Sequence, residues 1–206
     1  MSIKKENNKS NSATGVLINQ DLSLLIQAVL HVDKEYLSYA DTNANADDRK
    51  DQINQLERVF AYELYHQWSL LKDDNLVLNG EIGKLWNEET WYPDLVLHGG
   101  QNDFETNKIV VEIKLECIVK GTPKAILDDL KKLSAFLETV EKDNQLIKYR
   151  NYEYAVFILL KGDLDEITKA LKSKKESAEN INDNIICMSY NEEKKIRMAC
   201  LADLRR

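Results

Sequence analysis

The sequence predicts an α/β fold with a mixed β-sheet. Three observations carry this expectation. Two long segments near the start repeat apolar residues at helical spacing. Short runs rich in valine, isoleucine and leucine follow them. Helical patterns then alternate with further apolar runs, giving the order helix, helix, three strands, helix, strand, helix, hairpin. Such alternation is the mark of helices covering a sheet.

Each element follows from its own residues. Residues 16–40, VLINQDLSLLIQAVLHVDKEYLSYA, set Leu22, Leu25, Ile26, Val29, Leu30, Val32 and Leu37 at helical spacing. Asn19 or Asp21 is available to cap the start. DTNANADD is a polar break. From about Asp47 to about Lys72 a long helix is expected, opened by acidic residues that suit the positive end of a helix dipole. LVLNGEIGKLW reads as a first strand with a turn at Asn79-Gly80, WYPDLVLHG as a second and NKIVVEIKLECIV as a third. TPKAILDDLKKLSAFLETVEK is a helix with Thr122 as N-cap and Pro123 in the first turn. YEYAVFILLKG is a buried strand, and DLDEITKALKSKKESAE a charged, exposed helix. IICMSYNEEKKIRMACLA reads as a hairpin turning near Asn191 to Lys194.

The 206 residues suffice for one domain with a substantial core. Cys117, Cys187 and Cys200 are far apart, odd in number and form no CxxC pair, as expected of reduced thiols in a cytoplasmic protein. No apolar run approaches the ~20 residues of a membrane helix. MSIKKENNKSNSATG has no secretory core, so residues 1–18 are expected to form a loosely ordered tail. The net charge of −7 means that a nucleic-acid ligand would need a local basic patch or a bound cation.

The second and third strands hold the chemistry. Asp94 lies in the second, just after Pro93. In the third, alternation puts Val111, Ile113 and Leu115 on one face and Val110, Glu112, Lys114 and Glu116 on the other. Glu112 and Lys114 are then about 7 Å apart, two strand rises. A hairpin through GGQNDFETN would bring Asp94 beside Glu112. Two close carboxylates repel unless a cation or a basic group joins them, and oxygen ligands suit Mg²⁺ or Mn²⁺. The plain alternative is a solvated strand face.

Pro93-Asp94 followed by Glu112-x-Lys114, with a Glu-bearing helix before, resembles the PD-(D/E)xK nuclease superfamily. The resemblance implies a restriction-endonuclease-like core of helix, three strands, helix and strand over about 48–162, within a single nuclease-like domain of 19–206. It implies a Mg²⁺- or Mn²⁺-dependent endonuclease that hydrolyses phosphodiester bonds of nucleic acid, with DNA the first choice. Asp94, Glu112 and the carbonyl of Ile113 would hold the metal, and Lys114 would position the attacking water. Many members add a glutamate from the first core helix, and Glu57 and Glu63 are the candidates. Leu56, Phe60, Glu63, Gln67 and Leu70 share one stripe, where a buried charge needs a purpose, so Glu63 is the expected ligand. A homodimer would suit cleavage of both duplex strands. The rival expectation is an inert binding module on the same fold.

The remaining candidates are weaker. Glu81, His66 and His98 could line the site, and Lys120 or Lys161 could approach a substrate backbone. The other basic clusters are interleaved with acids and read as solvated faces.

Overall fold

The structure, a computed structural model, describes residues 18–37, 46–81, 83–86, 89–99, 106–115, 122–138, 140–142, 145–147, 151–191 and 193–206. Most of the expected tail, part of the DTNANADD break, most of the hairpin loop, and Glu116, Cys117 and Lys120 lie outside these residues.

Helix α1 (Gln20–His31) starts at Asn19, whose side chain accepts the Leu22 N–H, so Asn19 rather than Asp21 is the cap. A short 3-10 turn, Lys34–Leu37, follows, and then the long α2 (Ala46–Leu71). The main sheet uses β1 (Val77–Gly80), β4 (Leu95–His98), β5 (Asn107–Leu115), β8 (Tyr154–Leu160), β9 (Ile186–Tyr190) and β10 (Ile196–Cys200) in the spatial order β1-β4-β5-β8-β9-β10. The pairs β1–β4, β4–β5 and β9–β10 are antiparallel, whereas β5–β8 and β8–β9 are parallel. The parallel steps are bridged by α3 (Thr122–Leu137) and by α4 (Leu164–Ser173) with α5 (Lys175–Ala178). A final turn of helix, α6 (Leu201–Leu204), follows β10. The mixed α/β sheet is therefore as expected, and the C-terminal hairpin is part of it.

Helices cover both faces. On one, Leu22, Leu25 and Val29 of α1 and Phe60, Leu64 and Trp68 of α2 bury Ile109, Val111, Ile113 and Leu115. On the other, Ile126, Leu130 and Leu133 of α3 and Ile167 and Leu171 of α4 bury Val110, Phe157 and Leu159. Helix α1 thus caps a sheet face beside α2, and the Tyr190 hydroxyl donates to the Val32 carbonyl beneath it.

Several expectations need correction. The segment read as one first strand is two: β1, then β2 (Lys84–Trp86), which pairs with β3 (Glu89–Trp91) in a separate ladder. The reversal involves Glu81, at φ 49°, not Asn79-Gly80, because Asn79 and Gly80 stay paired with Val96 and Leu95. Helix α3 stops at Leu137, where its apolar stripe ends, and β6 (Val140–Lys142) pairs with β7 (Gln145–Ile147) in a small ladder beyond it. Helix α4 is not simply exposed, since Leu164, Ile167, Ala170 and Leu171 are buried. Along α2 the buried line is Leu56, Phe60, Leu64 and Trp68, while Leu70 is 68% exposed. The large apolar groups of Leu64 and Trp68 win the core face over Glu63 and Gln67.

The β4–β5 hairpin closes tightly. The Gly99 N–H donates to the Thr106 carbonyl at 3.0 Å, and a Cβ at Gly99 would fall 1.7 Å from Thr106 Oγ1. No helix among the described residues is long and apolar enough to cross a membrane.

Candidate functional site

The site grows from the open end of the β4–β5 ladder. Leu95 pairs with Val111 and Val96 with Val110, so one step outward sets Asp94 opposite Glu112. Asp94 Oδ2 accepts the Ile113 N–H at 2.6 Å. That N–H points to the β4 side, and the carbonyl of the same residue points with it. The next antiparallel partner in this register would be Pro93, which has no N–H to give the Ile113 carbonyl. Proline thus ends the ladder where a ligand could take that oxygen. Glu112 and Lys114 share the Val110 face, toward α3, as a period of two requires.

Two helices close on Lys114. Its Nζ is 3.5 Å from Glu57 Oε2 of α2 and 3.4 Å from Asp129 Oδ2 of α3. Glu57 also accepts the Leu115 N–H through Oε1 at 2.8 Å. Lys132 Nζ holds the other Asp129 oxygen at 3.0 Å. The carboxylates of Glu57, Asp94, Glu112 and Asp129 therefore meet the ammonium groups of Lys114 and Lys132, an excess of negative charge.

Burial sharpens that excess. Glu112 is only 6% exposed and its Oε1 has no hydrogen-bond partner. Burial, then repulsion from Asp94, pushes its carboxyl well above the usual range. Asp94 is pushed up to about 6, chiefly by burial and against the Ile113 N–H that favours its anion. Burial also raises Glu57. Burial alone would lower the ammonium groups of Lys114 and Lys132, but Asp129 leads the opposing charges and both end above their ordinary value. The arrangement keeps its lysines charged and strains its carboxylates, and a divalent cation would relieve that strain.

A pH dependence follows. A carboxyl whose folded pKa is raised favours the fold below its unfolded pKa, near 4, and that advantage is lost as pH rises through about 6. Asp94→Asn removes the charge, so the metal-free variant should gain about 1–3 kcal/mol over the wild type at pH 8 and about a third of that at pH 4.5. Urea melts at both pH values test this. An equal gain at both, or a loss at pH 8, would contradict the electrostatic account.

The structure joins Asp94, Glu112, the Ile113 backbone and Lys114. Of the two helix glutamates it brings Glu57, not Glu63, to them. Glu63 accepts from Gln67 of its own helix at 2.7 Å, and it lies six residues, roughly 9 Å of rise, beyond Glu57. Sequence reasoning named Glu57 as the alternative to Glu63, read Lys132 within a solvated basic cluster, and passed over Asp129. Asp129 had a signal, because it interrupts the apolar stripe Ile126, Leu130, Leu133, and Lys132 is one turn beyond it.

Glu81 pairs with Arg58 at 3.4 Å and lines a cleft with Asp94. His98 is buried against Asn79 at 2.7 Å, and the exposed His66 gives only its carbonyl to Ser69. Lys161 ends β8 in a left-handed conformation. Lys169, Lys195, Arg197 and Arg205 pair with acids, as their interleaving implied. Cys187 and Cys200 are free thiols.

Among the described residues no three Asp, Glu, His or Cys side chains converge as a ready-made cage. Glu57 and Asp129 are drawn to Lys114, which leaves Asp94, Glu112 and the Ile113 carbonyl. That donor set suits Mg²⁺, which commonly takes one or two carboxylates and keeps several waters. The chain matches no family model, no curated protein and no solved structure.

Proposed function

We propose that this protein is a metal-dependent nuclease of the PD-(D/E)xK kind, an endonuclease that hydrolyses phosphodiester bonds of nucleic acid, DNA foremost. The observation that carries the reading is a pair of carboxylates at the end of the β4–β5 ladder: half-buried Asp94 clasped by the Ile113 N–H, and buried Glu112 with an oxygen lacking any hydrogen bond, next to Lys114. The order α2, β1, β4, β5, α3, β8 in and around the main sheet supports it, because it is the sequence of helix, three strands, helix and strand that the resemblance implies.

In this reading Asp94, Glu112 and the Ile113 carbonyl hold Mg²⁺ or Mn²⁺. The ion would supply Lewis-acid polarisation of the phosphate and acidify a water. Glu57 and Asp129 fix the Lys114 ammonium between the helices, where it orients the nucleophile and offsets charge developing on the phosphate. The cation would bring the four carboxylates and two lysines to neutrality, removing the local negative charge that would repel a polyanion.

Calorimetric titration with Mn²⁺ tests the site directly. The wild type should bind, and Asp94→Ala combined with Glu112→Ala should not. The same two proteins are then incubated with plasmid DNA and Mg²⁺, where only the wild type should cut. Binding of equal strength in the double variant would move the metal elsewhere. A wild type that neither binds metal nor cleaves would leave the inert binding module.

A further inference from the structure

Where α2 passes the ends of β1 and β4, a cleft of about 390 Å³ opens beside the carboxylates. This is within the ~300–1,000 Å³ range of small-ligand pockets. Ala61 and Leu95 give it apolar surface, and Tyr62 and Tyr65 stand at its α2 side. The two tyrosines are three residues apart, hence on one side of the helix. They remain 59% and 39% exposed despite their size. Across from them are Gly80, Glu81 and Asp94.

These facts restrict the occupant. Two acidic residues, Glu81 and Asp94, are among those lining the cleft, so a bare phosphate is disfavoured and a neutral group is favoured. Tyrosine rings beside apolar surface favour a flat aromatic group. Asp94 belongs to both the cleft and the proposed metal site, so the occupant lies within about one nucleotide of the scissile phosphate. Arg58, one turn before Tyr62, is at hand for a flanking phosphate once it leaves Glu81. A base paired inside a duplex cannot reach such a pocket.

We propose that this cleft receives one unpaired nucleobase of the strand being cut, stacked on Tyr62 and Tyr65, which directs the nuclease to single-stranded, frayed or flipped nucleotides. The inference rests on the nuclease reading. Base–aromatic stacking tolerates any base, so the site selects strand state more than sequence.

The test uses the full chain, fluorescently labelled DNA and RNA oligonucleotides and the matching DNA duplex. Binding is read by anisotropy in Ca²⁺ and cleavage in Mg²⁺. The wild type should prefer a single strand. Tyr62→Ala with Tyr65→Ala should weaken single-strand binding about tenfold or more and leave Mn²⁺ affinity unchanged, and Tyr62→Phe with Tyr65→Phe should restore it. The DNA and RNA arms identify which polymer supplies the base. Cleavage with the same strand preference in wild type and alanine variant would overturn the cleft proposal and leave the nuclease standing. No binding and no cleavage of any oligonucleotide by the wild type would overturn both.

Discussion

Glu112→Gln should abolish cleavage while raising the melting temperature of the metal-free protein. The two effects have one origin. Glu112 is buried on β5, its Oε1 has no partner, and its charge faces that of Asp94. Glutamine keeps the shape and removes the charge, so the desolvation and repulsion of the carboxylate disappear. The same change removes an anionic group from the proposed metal site, and the loss of cleavage on that reading should be roughly 10³-fold or more. Reading both in one preparation separates chemistry from unfolding: a variant that melts higher and does not cut has lost its site, not its fold. A variant that cuts at the wild-type rate would dismiss Glu112 as a ligand. One that melts well below the wild type would show that the charge is compensated by something other than a missing cation.

The second expected result concerns α2. Glu57→Ala should lower both activity and stability, whereas Glu63→Ala should change neither greatly. Glu57 satisfies the Leu115 N–H and holds one side of the Lys114 ammonium. Its removal leaves that N–H without its partner, a cost of about 1–3 kcal/mol, and lets the lysine swing toward Asp129. If Lys114 must be placed within fractions of an ångström, cleavage should fall on the order of 10²-fold. Glu63 is bonded to Gln67 on its own helix, and i,i+4 pairs of this kind contribute about 0.2–0.5 kcal/mol. Urea melts and single-turnover cleavage of both variants decide the matter. A large activity loss in Glu63→Ala, with Glu57→Ala unaffected, would return the role to Glu63.

The contrast between these glutamates shows how much the sequence made legible. Alternation along β5 placed Glu112 and Lys114 on one face and predicted their separation from Val111, Ile113 and Leu115, because a strand period of two admits one solution. Asp94 was legible as a neighbour of Glu112 because two such strands can pair as a hairpin, and the structure supplies the register through Leu95 and Val96. A helix is more permissive. On α2 the lines through Glu63-Gln67 and through Leu64-Trp68 differ by one position, and only packing against α1 and β5 decides between them. Asp129 and Lys132 were harder still. They arrive from α3, after a crossover, and no local pattern fixes which turn of that helix meets Lys114. The extra ladders β2–β3 and β6–β7 escaped because their three-residue strands are too short for any periodicity to register.

The closed hairpin end at Gly99 and Thr106 has a practical consequence. Glu112 lies six residues, roughly 20 Å of strand, from Thr106. The connection between residues 99 and 106 and the carboxylates therefore occupy opposite ends of one rigid rod. A fluorophore, a tether or an entire foreign module spliced into that connection would ride about one strand-length away from the carboxylates, joined to them through β5. Such a graft changes what the molecule is delivered to without touching what it does there.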